Sequence, residues 1–359
     1  MGAATAGRAR VAAVMCGAIV LVAALATGLL VRGRREAGGL EVWEIPGKPG
    51  RYETNFSGLG TDVRLVACAE GKGEARRMME AAVAPLRAVE DLMSTYDADS
   101  EISRLNRSGA EAAVELSEPT LAVLRKSVEM AELTGGAFDV TYAPLRALWR
   151  RAQEDGLPPA QDAVADALAA VGQDKLLFDG QRVSFAASGM EVDLGGIAKG
   201  YAIDQAAEAM MGAGVTAGLV DVGGDIRLIG VPEGKGLWRV QVRPVLGVPE
   251  DVILTLPACA VATSGDYARG FRVGEQWFSH IIDPRTGWPV EGVPSVTVVA
   301  PDAVTADALA TALSVMSPDE GISLVDSLAG MECMILLRLG DGAVSRRLSL
   351  GFDRFLGAQ

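Results

Sequence analysis

Cysteine and histidine are both scarce in this sequence. The four cysteines lie far apart and form no Cys-x-x-Cys pair: Cys16, Cys68, Cys259 and Cys333. Their spacing predicts neither a zinc site nor a disulfide framework. His280 is the only histidine, so any reaction that needs an imidazole must use this residue.

Positive charge is also in short supply. The 359 residues include 33 Lys and Arg against 46 Asp and Glu, which gives a net charge of −13 at pH 7. Nucleic-acid binding needs a basic face, so this composition argues against a nucleic-acid partner. An anionic ligand would need local arginines, lysines or a divalent cation. The hydrophobic share of 49% is that of a globular protein with one large domain or two smaller ones.

Charged residues are absent from residues 11–31, an apolar run long enough to span a bilayer. Residues 1–10 form an N-terminal flank, and residues 32–51 have the Gly, Pro and mixed charge of a linker. We interpret residues 11–31 as an uncleaved transmembrane anchor. The alternative is a cleavable signal segment with an A-x-A-like site at Ala24-Leu25-Ala26. The globular domain is predicted to cover residues 52–355.

Strands and helices are predicted in separate runs rather than in strict alternation, and no repeat of fixed period is present. Strands dominate after residue 214, whereas most helices come earlier. This distribution predicts an α+β fold with mixed, largely antiparallel sheets and packed helices. Among the predicted elements are helices over residues 74–93, 160–171 and 305–316, a hairpin over 175–186, and strands at 218–222, 260–263 and 295–300.

The most informative stretch is residues 190–204. Apolar and acidic residues alternate from 190 to 194, which predicts a half-buried strand. Gly195-Gly196 then breaks the strand, and helical spacing follows. A helix N-terminus after a glycine turn can stabilise an anion, usually a phosphate, and Asp193 and Lys199 flank this turn. The alternative is a turn that only packs a helix on a sheet. No Walker A or G-x-G-x-x-G pattern is present, which disfavours ATPase and NAD-binding functions.

A second candidate site lies on the predicted helix over residues 305–316. Asp307 and Thr311 are four residues apart and therefore share a helical face. A carboxylate and a hydroxyl surrounded by small alanines offer the oxygen ligands that Mg²⁺ prefers. The alternative is an ordinary solvated face with an acidic residue in the first helical turn.

His280 lies at the end of a predicted strand, followed by Asp283-Pro284-Arg285. An imidazole at this position can act as a base near neutral pH, or it can be a structural residue. Arg285 can hold a phosphate or cap the turn. Two further turns offer hydroxyls or close backbone approach, at residues 263–267 and 223–225.

These motifs together match a known family. Residues 193–202, 221–225, 262–267, 280–287 and 306–312 stand in the order and approximate spacing of the FAD:protein FMN transferases, the ApbE-type flavin transferases, which the chain resembles over residues 55–351. The resemblance implies a bilobal α+β fold in which FAD lies in a cleft and Mg²⁺ bridges its pyrophosphate. Leu59 departs from the pattern, because many relatives carry Met before Gly-Thr.

The resemblance also implies roles for individual residues. The metal ligands would be Asp307, Thr311 and the backbone carbonyl of Gly196, and His280 would be the catalytic base. The residues that contact FAD would be Tyr96, Phe138, Asp139, Asp193, Lys199 and Ile281. Arg285, together with Mg²⁺, would offset the repulsion between FAD and an acidic protein.

The implied reaction transfers FMN from FAD to a Thr or Ser hydroxyl of a partner flavoprotein and releases AMP. The family usually works outside the cytoplasmic membrane, so the domain is expected to face outward from its membrane anchor, in the periplasm or at the cell surface. Two alternatives stay open. One is a Mg²⁺-dependent FAD pyrophosphatase, and the other is a membrane-tethered protein that binds flavin without cleaving it.

Overall fold

The computed structural model describes residues 40–232, 236–242, 252–265, 270–340 and 342–357. The predicted flank over residues 1–10, the predicted membrane segment over 11–31 and the first part of the linker lie outside the described residues. Within these described ranges, no helix is both long and apolar enough to cross a membrane.

Short strands make up much of the chain. In chain order they are β1 (Trp43–Glu44), β2 (Arg51–Gly58), β3 (Thr61–Cys68), β4 (Val114–Glu115), β5 (Leu176–Asp179), β6 (Arg182–Phe185), β7 (Gly218–Val222), β8 (Asp225–Ile229), β9 (Trp238–Gln241), β10 (Ile253–Leu256), β11 (Ala260–Ser264), β12 (Gly270–Val273), β13 (Gln276–Ser279), β14 (Ser295–Ala300), β15 (Glu332–Arg338) and β16 (Val344–Leu348).

The main layer is a nine-stranded sheet of order β1-β2-β3-β7-β8-β11-β14-β15-β16. Every neighbouring pair in it is antiparallel. All six residues of β14 are buried, which marks it as an inner strand covered on both faces. On one face, Phe352, Phe355 and the antiparallel pair β9 and β10 pack into an apolar core with alternate residues of the sheet.

The helices are α1 (Lys72–Met93), α2 (Glu101–Ser108), α3 (Glu118–Leu133), α4 (Ala143–Asp155), α5 (Gln161–Leu168), α6 (Ala198–Gly212), α7 (Ala303–Val315) and α8 (Pro318–Asp326). Helix α6 packs against α1 and α7, and α7 packs on β11 and β14. Helix α7 buries ten of its thirteen residues, and five of these are alanines, whose small side chains let it lie close to its neighbours.

A second apolar cluster joins α4 to the β12–β13 hairpin. Trp149 of α4 is buried against Phe278 and Ile282, and its indole N–H donates to the Gly287 carbonyl at 2.8 Å. Two buried residues therefore bracket His280 along the chain. This packing holds the segment after β13 opposite α4.

One predicted strand is wrong. Residues 190–194 are extended, but they make only an isolated bridge between Glu191 and Tyr142. The side chain of Asn106 replaces a strand partner, because its amide accepts from the Val192 N–H at 2.7 Å and donates to the Val192 carbonyl at 2.9 Å. The Asp193 N–H donates to the Val140 carbonyl. The backbone is thus satisfied without a ladder.

The predicted α+β class is confirmed, with antiparallel sheets and packed helices. The predicted hairpin over residues 175–186 is also correct, with β5 and β6 joined through Gly180. Residues Glu41–Gln359 form one compact unit. The two lobes expected from the resemblance would therefore both lie within this one unit.

Candidate active site

A cleft of about 500 Å³ opens between α4, the start of α6, α7 and the segment after β13. Ten of the residues predicted from the sequence line it, which are Tyr96, Phe138, Asp139, Asp193, Gly196, Lys199, His280, Ile281, Asp307 and Thr311. The folding of the chain thus brings together motifs that are far apart in sequence.

The turn at Gly195-Gly196 forms the floor of the cleft. The Gly195 N–H donates to Asp193 Oδ1 at 2.8 Å, and helix α6 begins at Ala198. A Cβ atom at Gly196 would lie 3.2 Å from Thr311 Oγ1 and 3.3 Å from a ring carbon of Phe138. The absence of a side chain therefore lets the backbone of this turn approach α7.

Asp307 is buried, with 6% of its surface exposed, and points from α7 toward the start of α6. Its Oδ2 accepts from the Gly200 N–H at 2.9 Å, and its Oδ1 lies 3.2 Å from Lys199 Nζ. Lys199 also forms an ion pair with Asp225, which is 4% exposed. One ammonium thus serves two buried carboxylates, and this leaves the floor of the cleft with an excess of negative charge when both are ionised.

The donor atoms near this floor fit a hard cation. Asp307 supplies a carboxylate and Thr311 a hydroxyl, and the Gly196 backbone, which closely approaches Thr311, has a carbonyl to offer. Mg²⁺ prefers such oxygen donors and usually binds through only one or two carboxylates. No group of three or more His, Cys, Asp or Glu side chains with metal-binding spacing occurs in the described part of the chain. A metal here would therefore depend on mixed oxygen donors.

Hydrogen bonds hold helix α7 against α6. Besides the bond to Asp307, the carboxylate of Asp204 accepts from the N–H groups of Ala303 and Val304, both at 2.9 Å. Burial raises the pKa of Asp204 to about 6, although these hydrogen bonds and Arg227 act in the opposite direction. This arrangement sets the position of Asp307 and Thr311 relative to the glycine turn.

Asp139 lines the cleft, but its carboxylate is engaged by its own loop. It accepts from the Thr141 hydroxyl at 2.6 Å, the Thr141 N–H at 2.8 Å and the Gln173 N–H at 3.1 Å. Burial raises the pKa of Asp139 and outweighs these bonds, which lower it. The side chain thus shapes the loop that presents Phe138, which is itself buried.

Tyr96 stands at the mouth of the cleft with 84% of its surface exposed. Arg146 of α4 lies over its ring, 5.9 Å from the centroid, and donates to its hydroxyl at 3.3 Å. Arg146 also forms an ion pair with Asp193. A stacked guanidinium and an open aromatic face offer a surface for a planar ring.

Sequence reasoning missed Arg146 and did not select Asp225 as a site residue. The available signal for the first was the spacing on α4, where residues 142, 146, 149, 150 and 153 follow a helical period and all line the cleft. Two of them are arginines in an acidic chain. Asp225 belongs to the turn at residues 223–225, which was predicted from the sequence as a place of close backbone approach.

His280 is exposed and lines the cleft beside the buried Ile281. Arg285 is the one predicted site residue that is not brought to the cleft wall. Its guanidinium pairs twice with Asp283, at 2.9 and 3.0 Å, and this hydrogen bonding raises the pKa of Arg285. The predicted turn at residues 263–267 is described only as far as Gly265, which lines the cleft with Thr263 and Ser264.

Comparisons with known proteins agree with one another. The model of the ApbE family matches residues 59–335. The FAD:protein FMN transferase of Vibrio cholerae is 35% identical over 263 residues, which cover 72% of this chain and 78% of the relative. The FAD:protein FMN transferase of Haemophilus influenzae is 33% identical over 276 residues, with 74% and 79% covered.

Solved structures extend the similarity to the fold. The flavin transferase ApbE from Vibrio cholerae has a TM-score of 0.74 and 31% identity, over 85% of this chain and 99% of that one. An ApbE protein from Thermotoga maritima has a TM-score of 0.76 and 36% identity, over 86% and 100% of the two chains. On the family match, the sequence identities and the shared fold, this chain belongs to the ApbE family.

Proposed function

We propose that this protein transfers the FMN moiety of FAD to a threonine or serine hydroxyl of a partner flavoprotein and releases AMP. The observation that carries the proposal is the convergence, around one cleft, of a glycine turn at a helix N-terminus, the buried Asp307 and the only imidazole, His280. The volume of the cleft, about 500 Å³, lies in the range of small-molecule sites. The activity named for the relatives supports the same assignment.

The pyrophosphate of FAD is assigned to the Gly195-Gly196 turn. The positive end of the α6 dipole stabilises phosphate there, although most N–H groups of the turn are already bonded within the protein. Lys199, in the first turn of that helix, adds a positive charge. Tyr96, Phe138 and Ile281 supply the aromatic and apolar surface for the rings of the dinucleotide.

His280 serves as the general base. The acceptor hydroxyl attacks the phosphorus on the FMN side, an oxygen–phosphorus bond forms, and the phosphoanhydride bond breaks. The proton of the hydroxyl passes to a ring nitrogen of His280, and AMP leaves with the bridging oxygen. FMN remains attached to the acceptor through a phosphoester. The protein forms no covalent bond in this reaction. Its contribution to catalysis is therefore mainly positioning and charge stabilisation, as in other phosphoryl transfers.

Mg²⁺ is the cation we assign to the oxygen donors of Asp307, Thr311 and the Gly196 carbonyl. When bound, it offsets the charge of the pyrophosphate. Because Lys199 alone faces both Asp225 and Asp307, the protein's own cations do not neutralise the cleft floor.

Incubation with FAD, Mg²⁺ and an acceptor domain, followed by the intact mass of the acceptor, tests the proposal. Transfer adds the mass of FMN to the acceptor and releases AMP in equal amount. Free FMN with AMP would instead indicate a pyrophosphatase. Retained FAD without AMP would indicate a flavin-binding protein.

We also propose that residues 11–31 anchor the protein in the membrane with its domain outside the cytoplasm. The apolar run and the following linker in the sequence support this location. Protease added to spheroplasts should then reach the domain, and protection until lysis would contradict it.

A further inference from the structure

The turn after His280 is held by a paired aspartate and arginine. The guanidinium of Arg285 donates to both carboxylate oxygens of Asp283, from Nε to Oδ1 at 2.9 Å and from Nη2 to Oδ2 at 3.0 Å. The backbone N–H of Arg285 donates to the same Oδ1 at 2.8 Å, and the Gly287 N–H donates to the Asp283 carbonyl at 2.8 Å. A bidentate pair of this kind fixes the planar guanidinium in one orientation.

The same guanidinium reaches the C-terminal end of α7. Its Nη2 donates to the carbonyl of Val315, the last residue of that helix, at 3.4 Å. A terminal carbonyl has no partner within the helix, and the negative end of the helix dipole favours a cation. The last turn of α7 contains no basic residue of its own. Arg285 therefore supplies from another segment the positive charge that this helix end lacks.

The methylene stem of Arg285 contacts a third segment, the loop that precedes Phe138. A Cβ atom at Gly136 would lie 3.7 Å from Arg285 Cγ, which is an ordinary van der Waals distance, so the stem lies against this backbone. Gly136 has a φ of +78°, a conformation that favours glycine. One side chain thus joins the loop before Phe138, the end of α7 and the turn after His280.

These three segments carry parts of the proposed active site. Asp307, Thr311 and Val315 follow one another at four-residue spacing along α7, and all three line the cleft. His280 and Pro284 line it from the turn and the residues just before it. How this turn lies against the end of α7 therefore helps to set where the proposed base lies relative to the proposed metal ligands.

Arg285 itself does not line the cleft, and its guanidinium already pairs with Asp283. It is therefore placed to hold other groups rather than to bind FAD. The pair is partly exposed, with 39% of the Arg285 side chain and 14% of the Asp283 side chain accessible. Ion pairs of this kind usually contribute little to stability, so a variant at position 285 should fold, and any loss of activity should reflect the position of its neighbours.

We propose that Arg285 is a positioning residue of the transfer reaction, which holds the segment of His280 against the end of α7. This inference rests on the proposed transferase function. A general base acts only within hydrogen-bond reach of the proton that it removes, and a displacement of about 1 Å can cost on the order of 10²-fold in rate. Without the arginine, the turn loses its bond to α7, and His280 meets the acceptor hydroxyl in the correct geometry less often.

Arg285→Met tests the proposal in the full-length protein with FAD, Mg²⁺ and an acceptor domain. Methionine keeps an unbranched stem beside Gly136 but cannot donate to Asp283 or Val315. We expect kcat for FMN attachment to fall by roughly tenfold to 10²-fold, whereas KM for FAD and the melting temperature change little. Arg285→Lys keeps the charge without the fork of donors and should restore only part of the rate.

Arg64→Met is the matched control. Arg64 of β3 pairs with Glu53 through two nitrogens, at 2.7 and 2.8 Å, and the exposed fractions of the two side chains, 45% and 15%, are close to those of the pair in the turn. Arg64 does not line the cleft, and its loss changes the net charge by the same amount. This variant should keep the kcat of the wild type.

A double variant shows whether Arg285 acts through His280. If it does, Arg285→Met should lower transfer little further once His280→Asn has removed the base, because both changes remove the same contribution to the rate. If the two residues act independently, their effects on the rate multiply.

Three results would overturn the proposal. They are a kcat for Arg285→Met equal to that of Arg64→Met, a multiplied loss in the double variant, and a higher KM for FAD with unchanged kcat, which would assign Arg285 to FAD binding. In each of these cases the wild type still labels the acceptor. A wild type that labels no acceptor would instead refute the proposed function, and with it this inference.

Discussion

At the residue scale, the balance of charge on the cleft floor rests on Lys199. Its ammonium pairs with both Asp225 and Asp307, two carboxylates from different elements that are almost fully buried. A buried carboxylate without a partner is costly, so each of these three groups depends on the others. The oxygen donors of Asp307 are also the ones assigned to Mg²⁺.

Replacing Asp307 tests that assignment. Asp307→Asn keeps the shape and an oxygen that can accept from Gly200, so the fold should survive. FAD cleavage should fall by about 10²-fold or more, because the only charged metal ligand is lost. A Mg²⁺ titration of AMP release measures the effect. Asp319→Asn, a substitution at an exposed position on α8, is the control. If Asp307→Asn shows normal Mg²⁺ dependence, Asp307 is not a metal ligand.

His280 should matter to the acceptor more than to FAD. In His280→Asn, transfer of FMN to protein should fall on the order of 10²–10⁴-fold, the usual effect of losing a general base. FAD affinity should change little, because the glycine turn and its neighbours remain. Flavinylation rate, FAD affinity and melting temperature are measured on the same sample. A lower melting temperature with an unchanged rate would make His280 structural.

At the element scale, the contact between α6 and α7 positions the site. A Cβ atom at Gly200 would lie 2.3 Å from the Ala303 carbonyl oxygen, so no side chain fits between the two helices. Both the bond from Gly200 to Asp307 and the bonds from Asp204 to the first turn of α7 cross this contact. A shift of either helix would move the proposed metal ligands away from the glycine turn.

Gly200→Ala should therefore destabilise the protein by about 1–3 kcal/mol and reduce FAD cleavage, since the helices must separate. Gly212→Ala, at the end of the same helix, has nothing within 4 Å of the added Cβ atom. This control should be neutral or stabilising by up to about 1 kcal/mol. Urea unfolding and AMP release check both variants, and equal effects of the two would refute the close-contact argument.

Asp204 predicts a pH dependence of stability with a defined sign. Burial raises the pKa of Asp204 to about 6 in the folded protein, above the ordinary value of 3.8 for an aspartate, so the folded state binds this proton more tightly. The contribution of Asp204 to the free energy of unfolding is therefore greatest below pH 4. It falls as the pH rises toward 6, by up to about 3 kcal/mol. The comparison of wild type with Asp204→Asn in urea at pH 4 to 7 isolates this group. A difference between them that does not vary with pH would contradict the prediction.

The spacing of apolar and polar residues predicted the helices and turns well. It predicted less well which groups form hydrogen bonds with the extended segments. The alternation at residues 190–194 correctly indicated extended backbone. It could not reveal that the Asn106 side chain, 86 residues away along the chain, would satisfy Val192 in place of a strand. The same limit applies to Arg146, whose significance depends on its contacts with Tyr96 and Asp193. Long-range pairing of this kind is set by the tertiary fold rather than by spacing.

At the scale of the whole molecule, an acidic protein has to bind a dianionic dinucleotide. Among the described residues, three cations, Lys199, Arg146 and Arg150, line the cleft together with four carboxylates, those of Asp139, Asp193, Asp225 and Asp307. The side chains of the cleft therefore do not offset the charge of the dinucleotide by themselves, and a bound divalent cation would supply the missing positive charge. The N-terminal apolar run adds the proposed tether, which would confine the enzyme to partners at the membrane.

The central claim is that the FMN half of FAD moves to a protein hydroxyl while AMP leaves. FAD labelled with radioactive phosphorus in only one of its two phosphates tests this most directly, with the full-length protein, Mg²⁺ and an acceptor domain. The account predicts that the FMN-side label becomes covalently attached to the acceptor, whereas the AMP-side label is released as AMP. Label from the AMP side on the acceptor, or release of both labels as free nucleotides, would contradict it.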